Sequence, residues 1–276
     1  ISSNITNFSE SILISNDAGT GTLSSATNNT GFGFEVFDDL TSGISNTAFG
    51  RKALTVNTTG GSNTAIGMNA LIANTTASNN TAVGKQALTS NTTGANNTAV
   101  GMKSLESNTT ASNNVAVGYL SLDANTTGTE NVAIGKSALT ENTTADANTA
   151  VGFNALALNT TGASNVAIGK DALDSNTTAS NNVAVGVDAL QANTTGASNV
   201  AIGRGALQTN TTASNNTAVG DEALFANTTG AQNVAVGHSS LQQNTTGQYN
   251  TGIGDFALYA NTTADNNTAV GKDALL

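Results

Sequence analysis

Asn63-Thr64-Ala65-Ile66-Gly67-Met68-Asn69-Ala70-Leu71-Ile72-Ala73-Asn74-Thr75-Thr76-Ala77-Ser78-Asn79 is followed at once by a second version of itself, beginning at Asn80. The glycine at its fifth place recurs every 17 residues from Gly50 to Gly271, fourteen copies without a slip. A unit this short cannot close a core of its own and must stack on its neighbours. The period predicts an all-β chain, a parallel β-solenoid (β-roll) of 17-residue coils. About sixteen coils, counting two degenerate ones, would make an elongated rod roughly 75 Å long at the ~4.8 Å spacing of paired strands.

Numbering the unit from its first asparagine assigns a task to each place. Position 9 is leucine in every copy, among them Leu54, Leu71, Leu88, Leu139, Leu207 and Leu275, and position 4 is Val, Ile or Phe, as at Ile66, Val83 and Val100. Two apolar columns of this regularity are expected to be the core ladder. Positions 3 and 8 are small, nearly always alanine, with Gly252, Ser104, Ser121 and Ser240 as exceptions. Such columns let two backbone layers approach, either across the coil or against another chain. Asn-[Thr/Val]-Ala-Val-Gly alternates β-branched residues and ends on glycine, which reads as a short strand. The Asn-Thr-Thr after each leucine argues against a helix.

Two asparagine columns accompany the apolar ones. One runs at position 12 through Asn57, Asn74, Asn91, Asn108, Asn125 and Asn142, the other at position 1 from Asn46 to Asn267. Amides stacked at strand spacing can donate to and accept from the copies above and below, an Asn ladder. All eight Lys and Arg fall at positions 6 or 7, the corner after the glycine. At position 6 the basic residues Lys136, Lys170 and Arg204 skip alternate coils, which lowers a like-charge repulsion of about 0.9 kcal/mol at ~4.8 Å in water. Position 15 alternates Gly60, Ala77, Gly94, Ala111 and onward until Gly230 is followed by Gly247. The true period is closer to two coils.

Residues 46–276 are regular, residues 29–45 form a degenerate coil, and Ser11 to Ala18 look like a weaker one. The chain therefore divides into an N-terminal cap or assembly segment, 1–28, and a β-solenoid repeat domain, 29–276. Ile1, Ile5, Phe8 and the strand-like Ile12-Leu13-Ile14 stand at one end, with Leu275 and Leu276 at the other. These are the expected assembly ends, where one copy's open coil meets the next.

Composition removes several classes of function. There is no cysteine, which excludes disulfides and thiolate metal sites, and a net charge of −10 disfavours nucleic-acid phosphates. No apolar run is long enough to span a membrane. His238 is the single histidine and reads as a corner residue, while Asp221-Glu222 and Asp38-Asp39 read as solvated surface charge. Neither a calcium-loop pattern nor a phosphate loop is present, so no enzyme, metal or cofactor is expected. Each Asn-Thr-Thr is formally a glycosylation sequon, but a glycan on every coil would not fit at ~4.8 Å spacing. The Thr58 and Thr59 columns raise the alternative of an ice-binding solenoid.

The stretch Asn63 to Ala70, repeated at positions 1 to 8 of every copy, resembles the head repeats of YadA-like trimeric autotransporter adhesins and related phage-type tail-fibre repeats. The Asn-Thr-Thr-Gly segment is closer to the fibre type. The resemblance implies a left-handed β-roll assembled as a trimer. Taken with the thin core, it leads to the expectation of an extracellular, cell-surface or virion-fibre structural protein, a segment of an adhesin, filament or tail fibre. Its partners would be itself, end to end or as a lateral homo-oligomer, and a host or surface receptor.

Overall fold

The computed structural model describes residues 11–15 and 23–276. Of the expected segment 1–28, residues 1–10 and 16–22, with Ile1, Ile5, Phe8 and Asn16 to Ala18 among them, lie outside the described residues. Sixteen strands of three residues each run parallel in one sheet in chain order, and the described residues contain no helix. This is a β-solenoid. The chain divides into two compact units, Ile1–Lys136 and Ser137–Leu276.

The first unit holds β1 (Ile12–Ile14), β2 (Thr30–Phe32), β3 (Thr47–Phe49) and then one strand every 17 residues to β8 (Val132–Ile134). From β2 onward each residue pairs with the residue 17 places on, as Thr47 with Thr64 and Ala48 with Ala65. The β1 to β2 step is one residue longer, since Ile12 pairs with Thr30. Leu13 then occupies the place that alanine holds elsewhere, and Gly31 beneath it makes the room: a Cβ on Gly31 would stand 2.8 Å from Leu13 Cδ1. The second unit runs from β9 (Thr149–Val151) to β16 (Thr268–Val270) with the same pairing, as Ala167 with Ala184.

From β2 onward each strand is buried at its middle residue and half-buried or exposed on either side of it. The core therefore consists of Ala at positions 3 and 8 and Leu at position 9, with Ala65, Ala70 and Leu71 fully buried. This corrects one expectation. Ile66 is 39 % exposed, and Val83 and Val100 are only half-buried, so position 4 belongs to the surface. The reason is the two-residue alternation of a strand. Within a coil this thin the inward site admits a methyl group, and the bulkier neighbours at 2 and 4 share the outer face. The alanine columns face the coil interior and cannot serve as a face for another chain. Leu54, Leu71, Leu88, Leu139 and Leu207 are fully buried, whereas Leu275 in the last coil is 65 % exposed. Leu258, one coil earlier, is 4 % exposed, so a leucine is covered by the coil that follows it.

Ala70 and Leu71 are adjacent and both buried, which an extended chain forbids. The corner solves this with left-handed backbone: the position-9 leucines have φ between 50° and 55°. That conformation costs roughly 1–2 kcal/mol for a non-glycine residue, against about 1.5–3 kcal/mol from burying a leucine. Burial wins in every coil. At position 5 both constraints act: Gly67 has φ of 137°, which favours glycine, and a Cβ there would collide with the carbonyl oxygen of Gly84.

The two-coil period also has a physical basis. In the glycine coils a Cβ at position 15 would strike the alanine carbonyl of the next coil, as Gly94 with Ala111 and Gly162 with Ala179. In the alanine coils position 16 is serine or, at Asp146 and Asp265, aspartate; the serine hydroxyl accepts the amide of the preceding coil, as Gly61 N donates to Ser78 Oγ, Ala95 N to Ser112 Oγ and Ala163 N to Ser180 Oγ, each at 3.0 Å. Gly94→Ala is accordingly expected to destabilise the protein by roughly 1–3 kcal/mol through overpacking, and Ala111→Gly by about 1 kcal/mol or less. Urea-denaturation midpoints measure the difference; equal midpoints for the two variants would remove this account of the alternation.

Candidate functional site

The position-12 asparagines form the ladder that their spacing suggests. Asn74 Nδ2 donates to Asn57 Oδ1, Asn91 to Asn74 and Asn108 to Asn91, all at 2.9 Å, and Asn125 to Asn108 at 3.0 Å. The second unit repeats it from Asn159 donating to Asn142 at 3.0 Å. Position 1 works differently: its Oδ1 accepts the backbone N–H of its counterpart one coil later, as Asn63 N to Asn46 Oδ1 at 2.9 Å. Both amides of a coil meet on one acceptor. Gly60 O receives Asn46 Nδ2 and Asn57 Nδ2, each at 2.9 Å. These asparagines are fully buried in every coil from the one at Asn57 to the one at Asn244. Their role is to close the coil, and the Asn-Thr-Thr amides are spent inside it.

Beside the bend at positions 16 and 17, what remains outside falls into three strips. Positions 2 and 4 carry Thr, Val, Ile and Phe with no charged residue in any coil, and at the N-terminal end Phe32 stacks on Phe49 at 5.1 Å. The corner at positions 6 to 11 carries the bases and most of the acids. There Lys52 pairs with Glu35 at 2.9 Å, Lys103 with Glu106 at 2.9 Å and Lys170 with Asp171 at 2.8 Å. Arg204 pairs with Asp221 at 2.8 Å and Glu222 at 3.0 Å. The carboxylate partners hold Lys170 and Arg204 above their ordinary pKa ranges. In the third strip Thr58 Oγ1 donates to Thr75 O at 3.0 Å, and its counterparts do likewise. Only the Thr59 column is presented outward, exposed in every regular coil.

One constellation carries the hydrogen-bond pattern of nucleophilic catalysis. His238 Nδ1 lies 3.0 Å from Asp255 Oδ1, and its Nε2 lies 3.3 Å from Ser239 Oγ. Sequence reading missed it because Asp255 arrives from the next coil. Geometry decides its chemistry. Ser239 is 2 % exposed, and the backbone N–H groups of Ser239 and Ser240 donate to Asp221 O and Gly237 O, so neither is left to stabilise an oxyanion. Phe256 closes edge-on against the imidazole at 4.9 Å. A hollow of about 640 Å³ lined by Phe256, Tyr259, Ala260, Asp273 and Leu276 includes neither His238 nor Ser239. The hydroxyl has no approach for an acyl carbon. Among the described residues no group of acidic and histidine side chains could hold a metal ion, and no helix is long and apolar enough to cross a membrane.

No family model, no curated protein and no solved structure matches this chain. Its function must be argued from the strips themselves.

Asp174 supplies a test of the corner. Burial raises its pKa above 3.8, and the Asp171 carboxylate adds to the shift. The folded state thus binds this proton more tightly than the unfolded chain does, and stability falls as pH rises above that ordinary value. Asp174→Asn should be more stable than the parent at pH 7, with the advantage vanishing below about pH 4. Thermal midpoints across that range check it, and a constant difference at every pH would contradict the assignment.

Proposed function

We propose that the chain is a structural segment of an extracellular fibre, filament or adhesin that associates laterally with copies of itself. The observation that carries this reading is the outward strand face. Its β-branched columns recur in each coil and bear no charge, on a chain whose net charge is −10. Two copies meeting by this face bring no like charges together. The fit is also one of period, since ridges at ~4.8 Å match grooves of the same spacing. The core and turn chemistry is spent within the coils, which leaves this face to act in arrays. The resemblance to adhesin-head and tail-fibre repeats, with a surface or receptor as the further partner, agrees with it.

Val185→Lys with Val219→Lys places two charges on this face and leaves the alanine and leucine core untouched. The parent should associate with rising concentration in sedimentation velocity, and the double variant should keep its circular dichroism but sediment as single chains. A parent that remains one species at all concentrations, or a variant that associates as strongly, would refute the proposal.

A second reading, ice binding, is supported by the exposed column at Thr59, Thr76 and Thr93. It requires thermal hysteresis in the parent protein and its loss when several of these threonines are replaced by lysine. Without hysteresis in the parent it fails.

A further inference from the structure

The coils contain two kinds of Asn-x-Thr sequon, and the fold separates them. Asn-Thr-Thr occurs at position 12 of the regular coils; Asn-Asn-Thr occurs at position 17, starting at Asn28, Asn79, Asn96, Asn215 and Asn266. Attachment of an N-linked sugar requires a reachable carboxamide with the hydroxyl of the third residue beside it. In the first kind the two groups are divided. Asn74 is fully buried, its Nδ2 donates to Asn57 Oδ1 and Ala77 O, and Thr76 points to solvent on the other side of the chain. Position 17 has the opposite arrangement. Asn79 is exposed, Asn80 between them is buried, and the half-buried Thr81 lies on the outer strand face, so neither the amide nor the hydroxyl is enclosed in the coil. The left-handed backbone at Asn79 and Asn96, with φ of 61° and 59°, puts both in the bend that leads into the strand. Asn96 Nδ2 makes one exposed bond, to Asn113 Oδ1 at 3.3 Å.

We propose that the folded chain accepts N-linked sugar at the asparagines that begin Asn-Asn-Thr and refuses it at those that begin Asn-Thr-Thr. In the transfer, Nδ2 forms a bond to the anomeric carbon of a nucleoside-diphosphate sugar. The bond from that carbon to the diphosphate oxygen breaks, the nucleoside diphosphate leaves with the electron pair, and one Nδ2 proton passes to the transferase or solvent. Asn79 and Asn96 occupy adjacent coils, ~4.8 Å apart. Each molecule therefore carries a sugar on one of the two and not on both.

The test offers the intact native chain, and separately its proteolytic peptides, to a soluble asparagine glucosyltransferase of Asn-x-Ser/Thr specificity with UDP-glucose. Site-resolved mass spectrometry reads the hexose, and the peptides establish the enzyme's competence at each site. On the native chain, hexose is expected at Asn215 and at either Asn79 or Asn96. At Asn91 and Asn176 the native chain should react at least about 100-fold more slowly than the peptides, since modification there must await opening of the coil. Thr81→Val and Thr98→Val should abolish sugar at Asn79 and Asn96 without unfolding, because valine already occupies position 2 at Val115 and Val132. Comparable native and peptide rates at Asn91 would overturn the proposal. So would native Asn79, Asn96 and Asn215 that stay bare while their peptides react, doubly modified Asn79 and Asn96, or retention of the sugar in the valine variants.

Discussion

Everything in a coil is arranged around one carbonyl, that of position 15, onto which two asparagine amides converge. Asn80 and Asn91, eleven places apart in sequence, both donate to Gly94 O at 2.9 and 3.0 Å. Asn165 and Asn176 do the same at Ala179 O, at 2.9 and 3.0 Å. A buried amide left without a partner costs about 1–3 kcal/mol. Satisfying two at one point turns a potential liability into the clasp that shuts the ring. With the clasp fixed, the remaining interior is narrow, and the residues that fit it follow: methyl groups at positions 3 and 8, one isobutyl group at position 9, and either a hydrogen or a methyl at position 15.

This narrowness explains why some features were legible in the sequence and others were not. The 17-residue period, the leucine column and the position-12 amide ladder all follow from repetition alone, because identical residues at fixed spacing must stack. The facing of the strand does not. Hydrophobic size suggested that Ile66 and Val83 point inward, yet threonine at position 2, as in Thr64 and Thr81, already marked that side as outer, and position 4 shares it. A side chain's size was weighed where its neighbour's tolerance of a hydroxyl was the better signal. The left-handed leucines could not have been read at all, since leucine has no special liking for that conformation. They adopt it because burying two consecutive residues leaves no other path.

Departures from the repeat show the same accounting at single sites. Gly252 replaces the position-3 alanine in the coil that follows Ser240, which replaces the position-8 alanine; a Cβ on Gly252 would approach Ser240 Oγ to 2.7 Å. The serine hydroxyl donates to Gly252 O at 2.9 Å. Gly31 under Leu13 is a second case. In these two places an enlargement of the interior is matched by a loss of side chain beside it, whereas Ser104 and Ser121, also at position 8, keep their alanine neighbours and donate their hydroxyls to Gly101 O and Gly118 O. The corner, which faces water, shows no such economy and carries the charge variation instead. The Asp255–His238–Ser239 contact arises there, from ordinary corner residues brought together by stacking.

The amide column has a direction. At position 12 the later coil donates to the earlier one, as Asn193 to Asn176 and Asn210 to Asn193, and at position 1 the later backbone N–H likewise donates to the earlier side chain, as Asn182 N to Asn165 Oδ1. The side-chain dipoles are thus aligned and reinforce one another along each unit. A coil leaving the ribosome finds its acceptors already set in the coil made just before, while the acceptors it contributes wait for residues not yet synthesised. Winding can therefore keep pace with translation, each turn serving as the mould for the next.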